Sequence, residues 1–381
     1  MKLFHKIHLW LSVPFGLIVA LVCFSGAMLV FEPEITRYVR SDVYYVASSD
    51  GVPMPMIKLM ETVRRTLPDS VSITGVTVFS DRNRTYQVAL SKPRRAAVFI
   101  DQYSGRITGK YERMGFFSSM FGLHRWLLDN ANPHGDGFKV GKNLVGISTI
   151  CFVIALITGV VIWVQRARKN IRRSLVISFR KGWPEMWKSL HIAGGMYVFV
   201  FVLAMSLTGL TWSFEWYRAA FYAACGVEYT PRNSARTVGK NGVRDHIRDH
   251  KGKRRAEGSS RPSQFTHWQQ VLDDLRTKNP GASKIVVGDE TASVSLSSVG
   301  NGRAADRYTF NRNSGELRPS DRYVDSSESD RLRGWIYAIH TGGWGGMFTR
   351  VIWFLSALFG ASLPLTGYYI WLRRLCMKKR R

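Results

Sequence analysis

Four of the nine histidines in this sequence of 381 residues stand at matching places in two halves of the chain. His8 opens HLWLSVPFG and His191 opens HIAGGMYVF, each at the start of an apolar run. MFGLHRWLL contains His124 and YAIHTGGWGG contains His340, each shortly before another apolar run. The iron of a b-type haem takes two axial ligands from opposite sides, and histidine is a common one. The two histidine pairs therefore predict two bis-histidine haem sites.

A Ser-Gly or Thr-Gly dipeptide recurs once in each of four apolar runs. Its glycines are Gly26, Gly209, Gly159 and Gly367, and each falls near the depth of a histidine pair contributed by other helices. A residue without a side chain lets a flat macrocycle lie close to a helix. The alternative is tight helix packing, for which small residues are common in membranes. Taken by themselves the glycines favour packing, whereas the recurring histidines favour haem sites.

Long apolar helices are needed to position these residues. Runs at residues 9–31, 144–164, 191–214 and 351–372 are each long enough to cross a bilayer, which takes roughly 20 residues. The first run exceeds the apolar part of a signal peptide, and no small-residue cleavage site follows it. We therefore interpret all four runs as transmembrane helices.

These spans form two tandem repeats. The sequences that begin at His8 and His191 reach a glycine and then a glutamate at equal spacing, and ITGVVIWVQRARK matches LTGYYIWLRRLCMKK. Between the spans, VFIDQYSGRITG resembles YTFNRNSGELRP, each a strand, a Ser-Gly turn and a second strand. We expect an α-helical membrane protein with four transmembrane helices in two parallel tandem repeats, plus two small α+β exterior domains.

The distribution of Lys and Arg predicts the orientation. The connection QRARKNIRRSLVISFRKGWPEMWK and the tail RRLCMKKRR belong in the cytoplasm, together with the N-terminus. Part of the net charge of +27 lies there, where it suits anionic membrane lipids. The other basic tract lies on the outer side, which argues against nucleic-acid binding. Of the four cysteines, two lie within spans, one lies in the cytoplasmic tail and only Cys225 faces outward, so we expect no internal disulfide. There is also no CxxC pair that would form a metal or redox site.

The domain boundaries follow from the spans and the charged segments. They are 1–31 for span one, 32–142 for the first exterior domain with an interfacial helix, 143–165 for span two, 166–189 for the basic cytoplasmic loop, 190–214 for span three, 215–349 for the second exterior domain with a flexible basic loop at about 231–263, 350–373 for span four and 374–381 for the basic tail.

Several neighbouring residues are weaker candidates for the same sites. His5 lies one turn before His8 on the same helix face, so it is an alternative ligand or a propionate partner, but it has no repeat mate. His134, in NPHGDG, is an alternative for the other pair. Arg125 and Lys188 stand beside predicted ligands and are candidates for pairing with propionates. Snorkelling at the membrane interface is the equal alternative for both cations.

The duplicated pattern resembles the PepSY-associated transmembrane family. The resemblance rests on the basic-histidine start, the Ser/Thr-Gly span, the FEPE end and the strand–turn–strand exterior segment. The second half reads FEWYR in place of FEPE, and DQYSG and NRNSG depart from the family's Asp…Thr-Gly turn. In length and layout the chain is most similar to the family's inner-membrane ferric-siderophore reductases, the ferrioxamine reductases among them.

The resemblance implies two PepSY-like exterior domains, a bacterial inner-membrane location and an oxidoreductase that uses two b-type haems to reduce a ferric siderophore, of hydroxamate type. Fe(II) is held more weakly than Fe(III) by hard oxygen donors, so one electron releases the iron. The sequence has no dinucleotide, Walker or flavin fingerprint, so we expect an unidentified cytoplasmic electron donor. Glu32 and Glu215 are candidates for receiving a proton or released Fe(II), with solvation of a helix end as the alternative.

Two other classes of function are open at this stage. A permease would move a siderophore or haem across the membrane, and buried carboxylates or broken helices within the spans would favour it, but the sequence shows neither. A membrane-anchored module that binds peptides and regulates a protease would use the exterior domains alone. That class leaves the recurring histidines unexplained.

Overall fold

The computed structural model describes residues 2–93, 95–129, 140–168, 170–229, 264–296 and 300–379. His134 and the basic loop predicted at 231–263 lie outside the described residues. The chain divides into two compact units. We call them the helical unit, with segments Met1–Thr36, Arg113–Arg218 and Trp335–Arg381, and the sheet unit, with segments Arg37–Glu112 and Ala219–Gly334.

The helices of the described residues are numbered in chain order. They are α1 (Lys2–Val30), α2 (Glu32–Val39), α3 (Ser41–Tyr44), α4 (Met56–Arg65), α5 (Gly115–Trp126), α6 (Val140–Ala167), α7 (Ile171–Ser174), α8 (Trp183–Ser189), α9 (Gly195–Ser213), α10 (Glu215–Ala224), α11 (Trp268–Lys278), α12 (Glu328–Thr341) and α13 (Gly346–Lys379). A π-helical turn, Leu190–Gly194, joins α8 to α9.

The four predicted spans are confirmed as helices long and apolar enough to cross a membrane. Over the described residues they run Lys2–Val30, Val140–Ala167, Trp183–Ser213 and Gly343–Met377. Their outward surfaces are apolar: Trp10 is 73%, Val200 65% and Leu355 55% exposed. Large contiguous apolar surfaces of this kind face lipid in membrane proteins and are rare on soluble monomers.

The four spans alternate around the helical unit. Helix α1 contacts both α6 and α13, and α9 also contacts both of them. The two spans that begin near His8 and His191 are therefore each packed against the same two helices. Close approach depends on small residues, as it commonly does in membranes. Gly194 shows this most clearly, because a Cβ there would lie 2.1 Å from Cζ of Phe359.

A tyrosine from α13 enters the hydrogen-bond ladder of α1. The Tyr368 hydroxyl donates to the Val13 carbonyl at 2.6 Å and accepts from the Leu17 amide at 3.1 Å, so it bridges a pair that a regular helix would join directly. The insertion lies beside Pro14, which itself cannot donate to the ladder. Gly16 makes room for it, since a Cβ there would lie 2.8 Å from the Tyr368 hydroxyl.

The sheet unit contains one antiparallel sheet of eight strands in the described residues. The strands are β1 (Ile73–Phe79), β2 (Tyr86–Leu90), β3 (Ala97–Ile100), β4 (Ile107–Lys110), β5 (Lys284–Gly288), β6 (Thr291–Ser295), β7 (Ala305–Phe310) and β8 (Leu317–Asp321), and their order is β4-β3-β2-β1-β5-β6-β7-β8. Helices α4 and α11 contribute to its apolar core, which includes the fully buried Met60, Trp268 and Leu272.

The two segments predicted to be exterior share this sheet instead of forming separate domains. Strand β1 pairs with β5 in a symmetric register, with Val76 opposite Val287 and Val78 opposite Ile285. Left apart, each four-stranded meander would expose the unpaired N–H and C=O groups of an edge strand. Pairing β1 with β5 gives hydrogen-bond partners to the N–H and C=O groups of both strands, and it unites the apolar faces in one core.

Both predicted Ser-Gly turns are present. Asp101 accepts from the Tyr103 amide at 2.9 Å, and Asn311 accepts from the Asn313 amide at 2.9 Å. Gly105 and Gly315 close the turns with φ of +71° and +72°, a left-handed conformation that glycine adopts at little cost. The turns therefore have the same construction in both halves of the sheet.

Candidate functional site

The structure brings both predicted histidine pairs together. The ring centroids of His8 and His191 are 6.3 Å apart, and those of His124 and His340 are 6.0 Å apart. We call these the first pair and the second pair. Among the described residues, no cluster of three or more His, Cys, Asp or Glu side chains could hold a metal ion. Each pair therefore offers a donor set of two imidazole nitrogens.

Three of the four histidines lie on α-helices, and the fourth lies in a π-helical turn. His8 lies on the regular helix α1, His124 on α5 and His340 on α12. His191 lies within the π-helical turn between α8 and α9. Single π turns inserted in α-helices are frequent at functional sites, because the extra residue changes the direction in which a side chain projects.

All four imidazoles are anchored in the same way, through Nδ1 and a helix carbonyl. A carbonyl oxygen can only accept, so the hydrogen lies on Nδ1 and the neutral ring keeps its lone pair on Nε2. No hydrogen bond within the described chain occupies these Nε2 atoms. The acceptors are Ala155 for His8 (2.9 Å), Leu363 for His191 (3.1 Å), Val22 for His124 (2.9 Å) and Met205 for His340 (3.0 Å).

The Ser/Thr-Gly dipeptides supply these anchors. Each acceptor carbonyl lies one helical turn before the glycine of a dipeptide, and the hydroxyl stands next to it. Oγ1 of Thr158, Thr366 and Thr208 lies 3.3, 2.9 and 3.2 Å from Nδ1 of its histidine. The Ser25 hydroxyl donates to the Val22 carbonyl at 3.1 Å. The carbonyl one turn before each dipeptide glycine thus fixes the tautomer of the facing imidazole, as backbone carbonyls commonly do for metal-binding histidines.

The predicted glycines lie directly against the histidine rings. A Cβ on Gly26 would lie 2.8 Å from Cε1 of His124, and one on Gly209 would lie 3.0 Å from Cε1 of His340. Gly159 and Gly367 are less crowded, with a Cβ reaching 3.4 Å from Cε1 of the facing ring. The glycines therefore make room for the imidazoles that the preceding carbonyls anchor, which is a more specific contact than general helix packing.

The surroundings of the second pair keep its imidazoles neutral. Removal from water, with a smaller contribution from neighbouring His124 and against the opposing Met205 hydrogen bond, lowers the pKa of His340 to about 4. Removal from water also lowers the pKa of His124, with the Val22 carbonyl opposing and Arg125 adding to the effect. A neutral imidazole is the form that ligates a metal.

The weaker candidates occupy varied positions. His5 is exposed in α1, one turn from the half-buried His8. Arg125 is exposed, and its guanidinium lies 5.5 Å from the ring centroids of both Phe121 and Trp126. Lys188 forms an ion pair with Glu185 at 3.1 Å, one turn earlier in α8. His134 lies outside the described residues, so its relation to the second pair stays a prediction.

The carboxylates at the end of α1 are held by arginines. Glu32 accepts two hydrogen bonds from Arg113, at 2.6 and 2.5 Å. Glu34 accepts two from Arg350, both at 2.6 Å. Glu215, the repeat mate of Glu32, is exposed at the start of α10. The two glutamates of the FEPE segment therefore tie α2 to α13 and to the residues before α5, and their roles toward a proton or Fe(II) stay predictions.

Two tryptophans near the pairs were missed by the reasoning from sequence. Trp212 packs its ring against His340 with centroids 5.1 Å apart. Nε1 of Trp163 is buried and has no hydrogen-bond partner in the described chain. Trp163 follows Gly159 by one turn on the same face of α6, as Trp371 follows Gly367 in α13. The repeat ITGVVIW and LTGYYIW contains that signal.

Comparison with known families gives one extensive match. A family model described as PepSY-associated TM region matches residues 5–374 of the chain. The match includes both histidine pairs, all four spans and the strands of the sheet. No curated protein matches the chain.

Proposed function

Because the chain belongs to the PepSY-associated TM family of membrane proteins, we propose that it is an inner-membrane haem b reductase for ferric siderophores. It takes electrons from an unidentified donor on the cytoplasmic side, passes them through two bis-histidine haems and reduces a hydroxamate-type ferric siderophore in the periplasm. The Fe(II) that is released then enters iron uptake.

The observation that carries the proposal is the common geometry of the four histidines. Each ring is fixed through Nδ1, which leaves the Nε2 lone pair for a metal. A metal held between two facing imidazoles at about 2.0–2.1 Å from each nitrogen places the ring centroids about 6–6.5 Å apart. The spacings of 6.3 and 6.0 Å in the two pairs match that value.

The donor set and its surroundings fit haem in particular. Two imidazoles leave four positions on the metal, which is the number that a porphyrin supplies. The buried Trp163 N–H lies one turn from Gly159, which contacts His8, and a propionate carboxylate would satisfy it. A bound haem supplies reversible one-electron chemistry. The chain's own part is to hold the imidazoles neutral, in one tautomer, inside an apolar helical unit.

The separation of the pairs suits transfer across a membrane. His8 lies near the start of α1, and the Val22 carbonyl and Gly26 that contact the second pair lie near its end. The helix between His8 and Gly26 is about 27 Å long at 1.5 Å per residue. The basic loop and tail assign the first pair to the cytoplasmic face under the positive-inside rule.

The parallel tandem repeat is part of the proposal. It is supported by the matched anchoring of each histidine pair, with one member from each half. The mirror-like strand order about the β1–β5 pairing supports it independently. Under this arrangement a pseudo-two-fold axis relates the two halves, as in other membrane proteins built from parallel repeats.

The substrate follows from the chemistry of iron. Hydroxamate oxygens are hard donors that favour Fe(III), and the gain of one electron gives Fe(II), which they hold more weakly. Each electron that leaves a reduced haem therefore converts one Fe(III) chelate to Fe(II) and free chelator. This exchange needs no proton from the protein, although protonation of the chelator would assist release.

Anaerobic mixing tests the proposal. Protein reduced with dithionite and freed of excess reductant is mixed with a ferric trihydroxamate, and the haem absorbance and a chromogenic Fe(II) chelator are followed together. We expect the haem to reoxidise as Fe(II) appears, with about one Fe(II) for each haem oxidised. The matching gallium(III) trihydroxamate has the same shape and no accessible reduction, so it should leave the haem reduced. Haem that stays reduced with the ferric chelate would refute the reductase function.

A further inference from the structure

The sheet unit contains a cleft that the histidine pairs do not use. Its volume is about 440 Å³, and it lies among the segment 51–53, the turn that follows β1 and the turn that follows β3. Arg276 of α11 completes one wall. Sites for small molecules commonly occupy roughly 300–1,000 Å³. The cleft is therefore large enough for a small organic ligand.

Gln102 lines this cleft and carries an unpaired acceptor. The residue is 2% exposed, and its Oε1 is buried without a hydrogen-bond partner in the described chain. Its Nε2 donates to the Arg82 carbonyl at 2.9 Å, which fixes the orientation of the amide. A buried acceptor without a partner is costly, so one in a residue that lines a cleft would gain from a donor that a ligand brings.

The rim of the cleft is positively charged. Arg82 is exposed, and the Arg276 side chain is 44% exposed with only a distant ion pair to Asp273 at 3.9 Å. Tyr86, which is buried, also lines the cleft. Asp81 is the one lining carboxylate among the described residues, and it accepts from the backbone of its own turn at 3.0 Å. Two guanidinium groups are thus available to an anion.

We propose that this cleft binds a small organic acid in which carboxylates lie beside a hydroxyl or ammonium group. The carboxylates pair with the guanidinium groups of Arg82 and Arg276, for which they are the matching planar partner. The hydroxyl or ammonium donates to Oε1 of Gln102 and satisfies the buried acceptor. A hydroxy-dicarboxylate carries a partner for each of the three groups, and an amino-dicarboxylate does so with an ammonium donor.

Three ligands of equal length separate the contribution of the carboxylates to binding from that of the hydroxyl or ammonium group. Titration calorimetry of the full chain in detergent uses L-malate, L-aspartate and succinate, which share two carboxylates and differ in the hydroxyl, the ammonium or neither. We expect malate or aspartate to bind about tenfold more tightly than succinate, because succinate leaves Oε1 of Gln102 unpaired. Tighter binding of malate than of aspartate identifies a hydroxyl donor, and tighter binding of aspartate identifies an ammonium donor.

Two variants and a control complete the experiment. Gln102→Leu should abolish the preference over succinate, and Arg82→Gln should weaken binding of all three acids alike. Arg312→Gln changes an arginine outside the cleft, in the turn between β7 and β8 that corresponds to the Gln102 turn in the other half of the sheet, and should bind as the wild type does. Arg82 is exposed, so its variant tests the proposal even if Gln102→Leu fails to fold.

Three results would overturn the proposal. They are equal binding of succinate and malate by the wild type, loss of binding in Arg312→Gln to the same extent as in Arg82→Gln, and no heat with any of the acids at millimolar concentration. None of these results depends on haem, so failure here is distinguishable from failure of the reductase function.

Discussion

At the scale of single residues, the site depends on how a histidine ring is held. Each imidazole lies between a helix carbonyl, to which Nδ1 donates, and a glycine next to Cε1. For His124 these are the Val22 carbonyl and Gly26. The carbonyl determines the tautomer and the glycine determines the distance of approach. Both requirements are local, so they are testable by substitutions of one or two atoms.

Gly26→Ala should disturb the second pair and Gly159→Ala should spare the first. A Cβ on Gly26 would lie 2.8 Å from His124, so the ring must move, whereas a Cβ on Gly159 would lie at an ordinary 3.4 Å from His8. Overpacking of this kind costs about 1–3 kcal/mol. We expect Gly26→Ala to lose or alter one of two low-spin haem signals in electron paramagnetic resonance. Wild-type spectra from Gly26→Ala would contradict the geometry described for the second pair.

Trp163→Phe removes a buried N–H that has no partner in the described chain. In haem-free protein the melting temperature should stay the same or rise, because an unsatisfied donor is lost. In haem-loaded protein, loss of a donor to a propionate leaves more negative charge near one iron and favours Fe(III). The midpoint potential of one haem should therefore fall, on the order of tens of millivolts.

A potentiometric titration followed by visible absorbance measures this effect. Trp10→Phe is the control, since that indole is 73% exposed on the outer face of α1. Both potentials should be unchanged in the control. Unchanged potentials in Trp163→Phe as well would remove Trp163 from the haem site.

At the scale of elements, one contact between α13 and α1 changes the backbone hydrogen bonding of α1. The Tyr368 hydroxyl inside the α1 ladder replaces a backbone bond near Pro14 with two bonds to a neighbouring helix. The two helices are therefore joined by backbone hydrogen bonding as well as by side-chain packing. Such an insertion locally changes the course of a helix and fixes its rotation relative to its neighbour.

Tyr368→Phe should destabilise the helical unit. It leaves the Val13 carbonyl and the Leu17 amide without the hydroxyl that joins them, and a backbone group left unpaired away from water costs about 1–3 kcal/mol. Tyr369→Phe is the matched control, because Tyr369 is 37% exposed and contacts Trp187 through its ring. Thermal unfolding in detergent, followed by tryptophan fluorescence, should show a lower melting temperature for Tyr368→Phe alone. Equal melting temperatures would show that the insertion contributes nothing to stability.

The sequence predicts the spans and the histidine pairing because both follow from one-dimensional patterns. Apolar length identifies a span, and repetition identifies His8 with His191 and His124 with His340. The π turn at His191 and the Tyr368 insertion were not predictable in this way. They arise from the meeting of two helices that are distant in sequence, and neither changes the hydrophobic pattern. The carbonyls that accept from the histidine rings were not predictable either, because every helical residue has a carbonyl.

At the scale of the whole molecule, the two halves meet through both of its units. In the helical unit each histidine pair joins one residue from each half. In the sheet unit the halves meet at β1 and β5, where the sequence alone suggested two separate domains. Edge strands carry no sequence signal for a particular partner, so the sequence does not predict that the two halves join in one sheet. Neither half of the chain has a complete histidine pair or both sides of the central strand pairing.

The number and ligation of haems in the purified protein test the central claim most directly. A visible spectrum with a pyridine haemochrome assay should show two b-type haems per chain, both six-coordinate and low-spin. His8→Ala should reduce the content to about one haem, while His5→Ala, which changes an exposed histidine without a repeat mate, should keep two. A colourless protein, or two haems retained in His8→Ala, would contradict the account.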